Sequence, residues 1–247
     1  MVRIFTQTLK DIKFLNLDPS KLPGLDEPVI WLVKTDSYSE SEVSSFQKSL
    51  SPQEQEKATR FRFVRDRNSY IITHAMLRTI LGNYLDSEPA EIEFIVNDFG
   101  KPSLAGKYRK LHFNLSHRSG LSALAFSPKS EIGVDIEKID SKFDFDLIAK
   151  AHFSEAENSF IDAKQDESRK RFYTVWTRKE ALLKAIGTGI GENLDVEVFR
   201  KVNQYKLDFP NSIHQEADYY LNTFEYQDKY VITTAGSSQR EPIVLIN

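Results

Sequence analysis

Four short segments hold residue types at spacings that suit the handling of cations and anions. Ile132 to Glu137 reads IGVDIE, so Ile132, Val134 and Ile136 alternate with Gly133, Asp135 and Glu137. A strand's period of two sets the aliphatics on one face and both carboxylates on the other. Two residues along a strand span about 7 Å, close enough for both acids to serve one cation. A solvated acidic face on an edge strand is the other reading of that pattern. Trp176 to Gly187 reads WTRKEALLKAIG, and helical spacing sets Trp176, Glu180 and Lys184 on one stripe. Taken alone, Glu180 and Lys184 also make an ordinary i,i+4 ion pair worth about a few tenths of a kcal/mol. His112 to Ser119 reads HFNLSHRS. Without a Gly-x-Ser-x-Gly elbow, Ser116 is a poor hydrolase nucleophile. Ser116 and His117 read instead as polar contacts to an anion, or as a surface turn. Asp98-Phe99-Gly100-Lys101-Pro102 is a turn that projects one cation, or simply a loop. Gly187, Gly189 and Gly191 follow a helix and lack Gly-Lys-Ser/Thr, so they form no phosphate-binding P-loop.

The elements that must position these residues come in two matching series. Ser51-x-x-Glu54 and Ser154-x-x-Glu157 are capping-box patterns, and each predicts a helix start. At an offset of about 105 residues, Tyr70 to Gly82 lies against Val175 to Gly187. Both are amphipathic helix patterns closed by glycine. Glu91 to Val96 and Asp195 to Arg200 then alternate like strands, as do Leu121 to Phe126 and Tyr230 to Ala235. The series predicts an internal duplication: an α+β protein of two halves, 1–128 and 129–247, divided at the turn cluster Pro128-Lys129-Ser130.

The composition removes several chemistries. The 247 residues include no cysteine, which excludes disulfides, a thiolate nucleophile, and Cys-ligated zinc or iron–sulfur clusters. The five histidines, His74, His112, His117, His152 and His214, nowhere take HExxH spacing. Apolar runs such as Pro28 to Val33 fall far short of the roughly 20 residues that span a bilayer. Met1 to Phe14 lacks a signal peptide's apolar segment, so a cytoplasmic location is the expectation. The net charge of -3 is uneven: between Lys57 and Arg78 stand six basic residues (Lys57, Arg60, Arg62, Arg65, Arg67, Arg78) and one acid, Asp66. A basic patch on an acidic chain points to a particular anionic ligand or to a solvated helix face. Phe61 and Phe63, interleaved with the arginines, also allow a single-stranded nucleic-acid module. The overall acidity and the absence of a recognised RNA-binding motif argue against it.

Together and in this order, the segments resemble the 4′-phosphopantetheinyl transferases of the longer, Sfp type. The residues that carry the resemblance are Gly100-Lys101-Pro102, Asn114-Leu115-Ser116-His117 and Gly133-Val134-Asp135-Ile136-Glu137. Phe153-Ser154-Glu155-Ala156-Glu157 and Trp176 through Lys184 complete it. It spans roughly Glu54 to Gly191. The resemblance implies two similar α+β halves related by a pseudo-two-fold axis, with the active site at their interface, in a monomer that is an internal pseudo-dimer. It implies transfer of the phosphopantetheine arm of coenzyme A to a serine of an apo acyl or peptidyl carrier protein, releasing adenosine 3′,5′-bisphosphate. Such carriers serve fatty acid, polyketide or nonribosomal peptide synthesis. The partner supplies the nucleophile, and neither nucleic acid nor membrane is a partner. The alternative is a non-catalytic module that binds nucleic acid or a carrier protein through residues 57–78.

Residue by residue, the resemblance implies that Asp135, Glu137 and Glu180 hold Mg²⁺, with Mn²⁺ as an alternative. Glu157 is the implied general base. Lys184 neutralises or protonates the leaving bisphosphate, and Lys179 contacts phosphate. Lys57, Lys101, Ser116 and His117 are implied coenzyme A contacts, with the turn at Lys101 and Pro102 lining the adenine. Arg60, Arg62 and Arg67 are further candidates. Ser69 stands where many relatives carry a basic residue, and Glu54 where some carry lysine. The carrier is expected over Gly106 to Arg109 and the helix starting at Ser154. There Lys107, Tyr108, Arg109 and Lys110 form either a basic docking loop or an ordinary exposed one.

Overall fold

In the computed structural model, which describes residues 2–10, 12–16, 18, 21–188, 194–205 and 218–247, one strand order occurs twice. The chain starts with β1 (Val2–Thr8), β2 (Phe14–Asn16) and β3 (Val29–Lys34). Three helices follow: α1 (Glu40–Phe46), α2 (Pro52–Thr59) and α3 (Val64–Leu85). Then come the short β4 (Phe94–Val96) and β5 (Pro102–Leu104), and the longer β6 (His112–Arg118) and β7 (Leu121–Ser127). The second series runs β8 (Ile132–Lys138), α4 (Asp146–His152), α5 (Glu155–Asp162) and α6 (Ser168–Ile186). It ends with β9 (Val202–Tyr205), β10 (Asp218–Tyr226), β11 (Tyr230–Gly236) and β12 (Ile243–Ile246).

Two sheets form, ordered β2-β12-β3-β7-β6 and β8-β11-β10-β1-β9, beside a β4-β5 hairpin. In the first, β3 lies antiparallel to β7, and β7 to β6; in the second, β8 lies antiparallel to β11, and β11 to β10. The terminal strands cross over. β1 joins the second sheet parallel to β10, and β12 joins the first parallel to β3. A division at 128/129 therefore separates the two helical series but not the two sheets.

Three apolar clusters stack the layers. Residues of α3 pack on Val29, Trp31, Val33, Leu124 and Phe126 of the first sheet. Residues of α6 pack on Val2, Ile4, Leu221 and Val231 of the second. The opposite sheet faces meet through Ile30, Leu32, Ala123, Val134, Ile136 and Ile232. Helix, sheet, sheet, helix is thus the order through the core, each sheet buried on both faces.

Buried polar pairs repeat with the halves. Both expected capping boxes form, at Ser51 with Glu54 and at Ser154 with Glu157. Each capping glutamate also holds a cation of the following long helix: Arg78 for Glu54, Lys179 for Glu157. The hydroxyls of Thr73 and Ser122 of β7 are hydrogen-bonded at 2.6 Å, and those of Thr177 and Thr233 of β11 at 2.9 Å.

Three sequence expectations are corrected. Helix α3 runs through Gly82 to Leu85 and closes on Asp86 in the left-handed region, φ 49°. Gly82 is there for space, since a Cβ would stand 2.6 Å from the carbonyl oxygen of Ser87. Asp195 to Arg200 is irregular rather than a strand, although Val196 and Val198 are fully buried. In Glu91 to Val96 only Phe94–Val96 is strand. Gly187 does close α6, at φ +84°. Gly189, Gly191 and His214 lie outside the described residues. Among the described residues no helix is long and apolar enough to cross a membrane.

Candidate active site

The site is built where β6 of the first half meets β8 and α6 of the second. Asn114 Oδ1 accepts the backbone N–H of Val134 at 2.9 Å, which ties β6 to the edge strand β8. Helix α6 lies against β8 because residue 133 is glycine. A Cβ there would stand 2.0 Å from the carbonyl oxygen of Ala181 and 2.4 Å from the nitrogen of Ala185. That approach brings the Glu180–Lys184 stripe of α6 over the acids of β8.

Ser116 Oγ donates to Asp135 Oδ1 at 3.0 Å, and Lys184 Nζ bonds the same oxygen at 2.7 Å and Ser116 Oγ at 3.2 Å. Asp135 and Glu180 are each only 4% exposed, so the acidic face of β8 is enclosed rather than solvated. Asp135 Oδ2 is buried and accepts no hydrogen bond among the described residues. Glu137 Oε2 lies 3.0 Å from Arg118 Nε, an ion-pair distance without hydrogen-bond alignment. Burial, then the charge of Asp135, pushes Glu137 up to about 7 against the pull of Arg118, Lys184 and the Trp176 side chain. Glu180 rises to about 7 for the same two reasons, with Glu137 adding and Lys184 opposing. Burial and the neighbouring carboxylate thus both work against ionising Glu137 and Glu180. Among the described residues no three acids or histidines are drawn together tightly enough to form a ready metal cage.

His117 follows Ser116 at the surface. Partial enclosure of its ring, then the nearby charges of His74, Lys184 and Arg118, lowers its pKa, and Asp66 opposes them. His74 was missed in the sequence, where it reads as one more residue of an amphipathic helix. Its ring centroid lies 4.1 Å from that of Tyr70, and Lys57 Nζ stands 5.2 Å above Tyr70. Lys57 is therefore linked to the neighbourhood of His117 through two rings.

Other expected residues are placed elsewhere. Glu157 and Lys179 are each 0% exposed and 2.8 Å apart. Lys179 Nζ also donates to the carbonyls of Leu194 and Val196, at 2.7 and 2.6 Å. Glu157 accepts the N–H groups of Val198 and Ser154, each at 3.1 Å. A general base must reach its proton and a phosphate contact its ligand. These two side chains are saturated inside the protein, where they fasten α5 and residues 194–198 to α6. Lys101 Nζ is held by Glu131 and by the carbonyl of Ala185, 2.9 Å away. With Asn97 Nδ2 on the carbonyl of Gly187 at 3.0 Å, the Gly-Lys-Pro turn clamps the C-terminus of α6. Pro102 opens β5 beside it.

In the basic segment, Arg60 pairs with Glu56, Arg65 with Asp36, Arg67 with Glu40 and Arg78 with Glu54. Phe61 packs on Tyr70, centroids 5.1 Å apart. The cationic surface on which a nucleic-acid module would depend is largely neutralised by these pairs. Arg62 stands over Phe63, and Lys107 over Tyr108 in the half-exposed basic loop.

Two family models match the chain. One, described as the 4′-phosphopantetheinyl transferase superfamily, covers residues 131–235. The other, described as 4′-phosphopantetheinyl transferase, N-terminal, covers residues 37–129. The 4′-phosphopantetheinyl transferase HetI of Nostoc sp. is 34% identical over 176 residues, 70% of this chain and 74% of the relative. The 4′-phosphopantetheinyl transferase Sfp of Bacillus subtilis is 30% identical over 202 residues, 81% of this chain and 87% of the relative. The L-aminoadipate-semialdehyde dehydrogenase-phosphopantetheinyl transferase of Mus musculus is 32% identical over 155 residues, 58% of this chain and 50% of the relative.

Proposed function

The chain belongs to the 4′-phosphopantetheinyl transferase superfamily, and from that premise we propose that it moves the phosphopantetheine arm of coenzyme A to a serine of an apo acyl or peptidyl carrier protein, with Mg²⁺ as cofactor. The observation that carries the reading is the convergence of Asp135, Glu137, Glu180 and Lys184 at one enclosed spot beside Ser116. In this proposal residues 1–128 supply the coenzyme A contacts, and 129–247 supply the acids and the helix α6. The enzyme is a cytoplasmic monomer.

An oxygen-ligated divalent ion fits these residues. Among the described residues Asp135 Oδ2 is buried without a hydrogen bond, and burial with the charge of Asp135 holds Glu137 and Glu180 up at about 7. Asp135, Glu137 and Glu180 would hold the ion, which would supply charge neutralisation at the pyrophosphate.

The chain's own residues account for the rest. The carrier serine's oxygen attacks the phosphorus bonded to pantetheine. The bond from that phosphorus to the bridging oxygen breaks, and adenosine 3′,5′-bisphosphate leaves with the electron pair. With Glu157 sealed in its pair with Lys179, Glu180 is the proposed acceptor of the serine proton. Lys184, already a donor to Asp135 and Ser116, turns its ammonium to the leaving phosphate. Ser116, His117 and Lys57 are the proposed phosphate contacts of coenzyme A. Mixing the protein with coenzyme A, Mg²⁺ and apo acyl carrier protein tests the proposal. A phosphopantetheine mass gain on the carrier, with adenosine 3′,5′-bisphosphate released, is expected. No gain across several carrier types overturns it.

A further inference from the structure

Away from the acids of β8, α6 helps to line a cavity of about 890 Å³, within the size range of small-molecule sites. Arg178 lies in its wall and is 4% exposed. It sits about 200° around the helix from Glu180, so it belongs to another face. Its guanidinium hydrogen-bonds to neutral oxygens: Thr223 Oγ1 at 2.9 Å, the carbonyl of Val198 at 3.1 Å and Thr8 Oγ1 at 3.2 Å. Those bonds use three of the five N–H donors a guanidinium carries. Among the described residues it forms no ion pair, and burial lowers its pKa to about 10. A buried cation without a counter-charge is expensive for a fold to keep.

The rest of the lining does not supply that charge. Among the described residues two carboxylates border the cavity, and both are taken: Glu225 by Lys170 at 2.6 Å, and Glu167 by Arg171 at 3.2 Å. Lys10 and Lys201, exposed on the rim, form no ion pair among the described residues. Among the described residues, three cations therefore border one cavity in excess of its acids. Two pairs of rings line it, Phe160 with Phe199 at 5.5 Å between centroids and Phe5 with Tyr220 at 4.9 Å.

We propose that this cavity is a second ligand site, separate from the transfer reaction, for a small organic anion that joins a dianionic phosphate head to a planar apolar body. The head lies on Arg178 with Lys10 and Lys201, because three cations exceed what one carboxylate balances and guanidinium groups match phosphate oxygens. The planar body lies along Phe160 and Phe199.

The test is titration calorimetry of the intact protein with phenyl phosphate as the probe and inorganic phosphate as the head alone. Phenyl phosphate should bind one site, about tenfold more tightly than inorganic phosphate. The double variant Lys10→Glu, Lys201→Glu changes only exposed side chains, so it keeps the fold, and it should weaken phenyl phosphate about tenfold or more. Lys184→Met should leave that affinity unchanged, and saturating coenzyme A should not displace the probe. Arg178→Met should abolish binding wherever the variant folds. The proposal is overturned by absence of binding, by indifference to the Lys10 and Lys201 substitutions, or by competition from coenzyme A.

Discussion

Gly133→Ala places one methyl group between β8 and α6, and its consequence follows from the distances. The new Cβ would meet the carbonyl oxygen of Ala181 at 2.0 Å and the nitrogen of Ala185 at 2.4 Å, where ordinary contact begins at 3.4 Å. Both obstacles are helix backbone, which cannot rotate aside as a side-chain tip can. Helix α6 must therefore retreat from β8 by about 1.4 Å, the shortfall against ordinary packing. Ala181 and Ala185 each directly follow an active-site candidate, Glu180 and Lys184, so those two side chains retreat with them. The 2.7 Å bond from Lys184 to Asp135 then opens to roughly 4 Å, beyond hydrogen-bond reach. Misplacement by about 1 Å costs a reacting geometry about 100-fold in rate. Overpacking of this kind costs about 1–3 kcal/mol of stability. The assay is phosphopantetheine transfer to an apo carrier, followed by mass at a temperature where the variant is folded, alongside urea denaturation. The expected result is a fall in kcat of about 100-fold, with a smaller change in coenzyme A affinity. A variant that keeps activity within threefold and an unchanged urea midpoint would refute the reasoning, because α6 would then not depend on that contact.

The remaining predictions test separate parts of the structure. Asp135→Asn should lower kcat by about 100-fold or more while leaving the circular dichroism spectrum unchanged; wild-type turnover would remove Asp135 from the mechanism. Lys179→Met strands the buried Glu157 charge and should cost about 3–5 kcal/mol in urea unfolding. The double variant with Glu157→Leu should recover much of that loss, and a double variant no more stable than the single would show that the pair is not the cause. Burial pushes Glu54 up, but bonds from His74 and the Ser51 N–H with the charge of Arg78 outweigh it and hold Glu54 at about 2. A lowered carboxyl stabilises the fold above its free pKa of 4.5, and that contribution, about 3 kcal/mol, disappears as pH falls toward 2. Glu54→Gln should therefore destabilise at pH 7 and approach wild-type stability near pH 2, and an equal loss at both pH values would contradict the assignment. Glu137 and Glu180, raised to about 7, destabilise the fold as pH rises through that value. Mg²⁺ should accordingly raise Tm at about pH 8 and hardly at all at about pH 5, and the effect should vanish in Asp135→Asn.

Local signals in the sequence were enough for several features. The Ser-x-x-Glu patterns at Ser51 and Ser154 specify their caps because every bond of a capping box lies within four residues. The alternation of IGVDIE specifies which side of β8 carries the acids, and i,i+4 spacing specifies that Glu180 and Lys184 share a face. The repeated series of elements also revealed the duplication, because each half draws its own sheet order from its own hairpins and long helix. The family's motifs are short and ordered, so they were legible as well.

The environment of each side chain was decided elsewhere. Glu157 and Glu54 carry the same capping signature, yet Glu157 is sealed by Lys179 and by backbone from residues 194–198, which no local pattern foretells. Lys101 looks like a free cation in a turn, and only the tertiary fold brings Glu131 and the end of α6 onto it. Arg178 is one unremarkable letter of WTRKEALLKAIG until β1 and β10 close over it without supplying a carboxylate. The exchange of β1 and β12 between the sheets was equally hidden, because short apolar strands carry no mark of their partner. The sequence by itself determined which residues share a face and which elements recur, since those follow from backbone periods of 2 and 3.6. Only the tertiary structure decided which charges are neutralised, which are enclosed and which are left over, since charge balance depends on residues far apart in sequence that meet in a region of low dielectric.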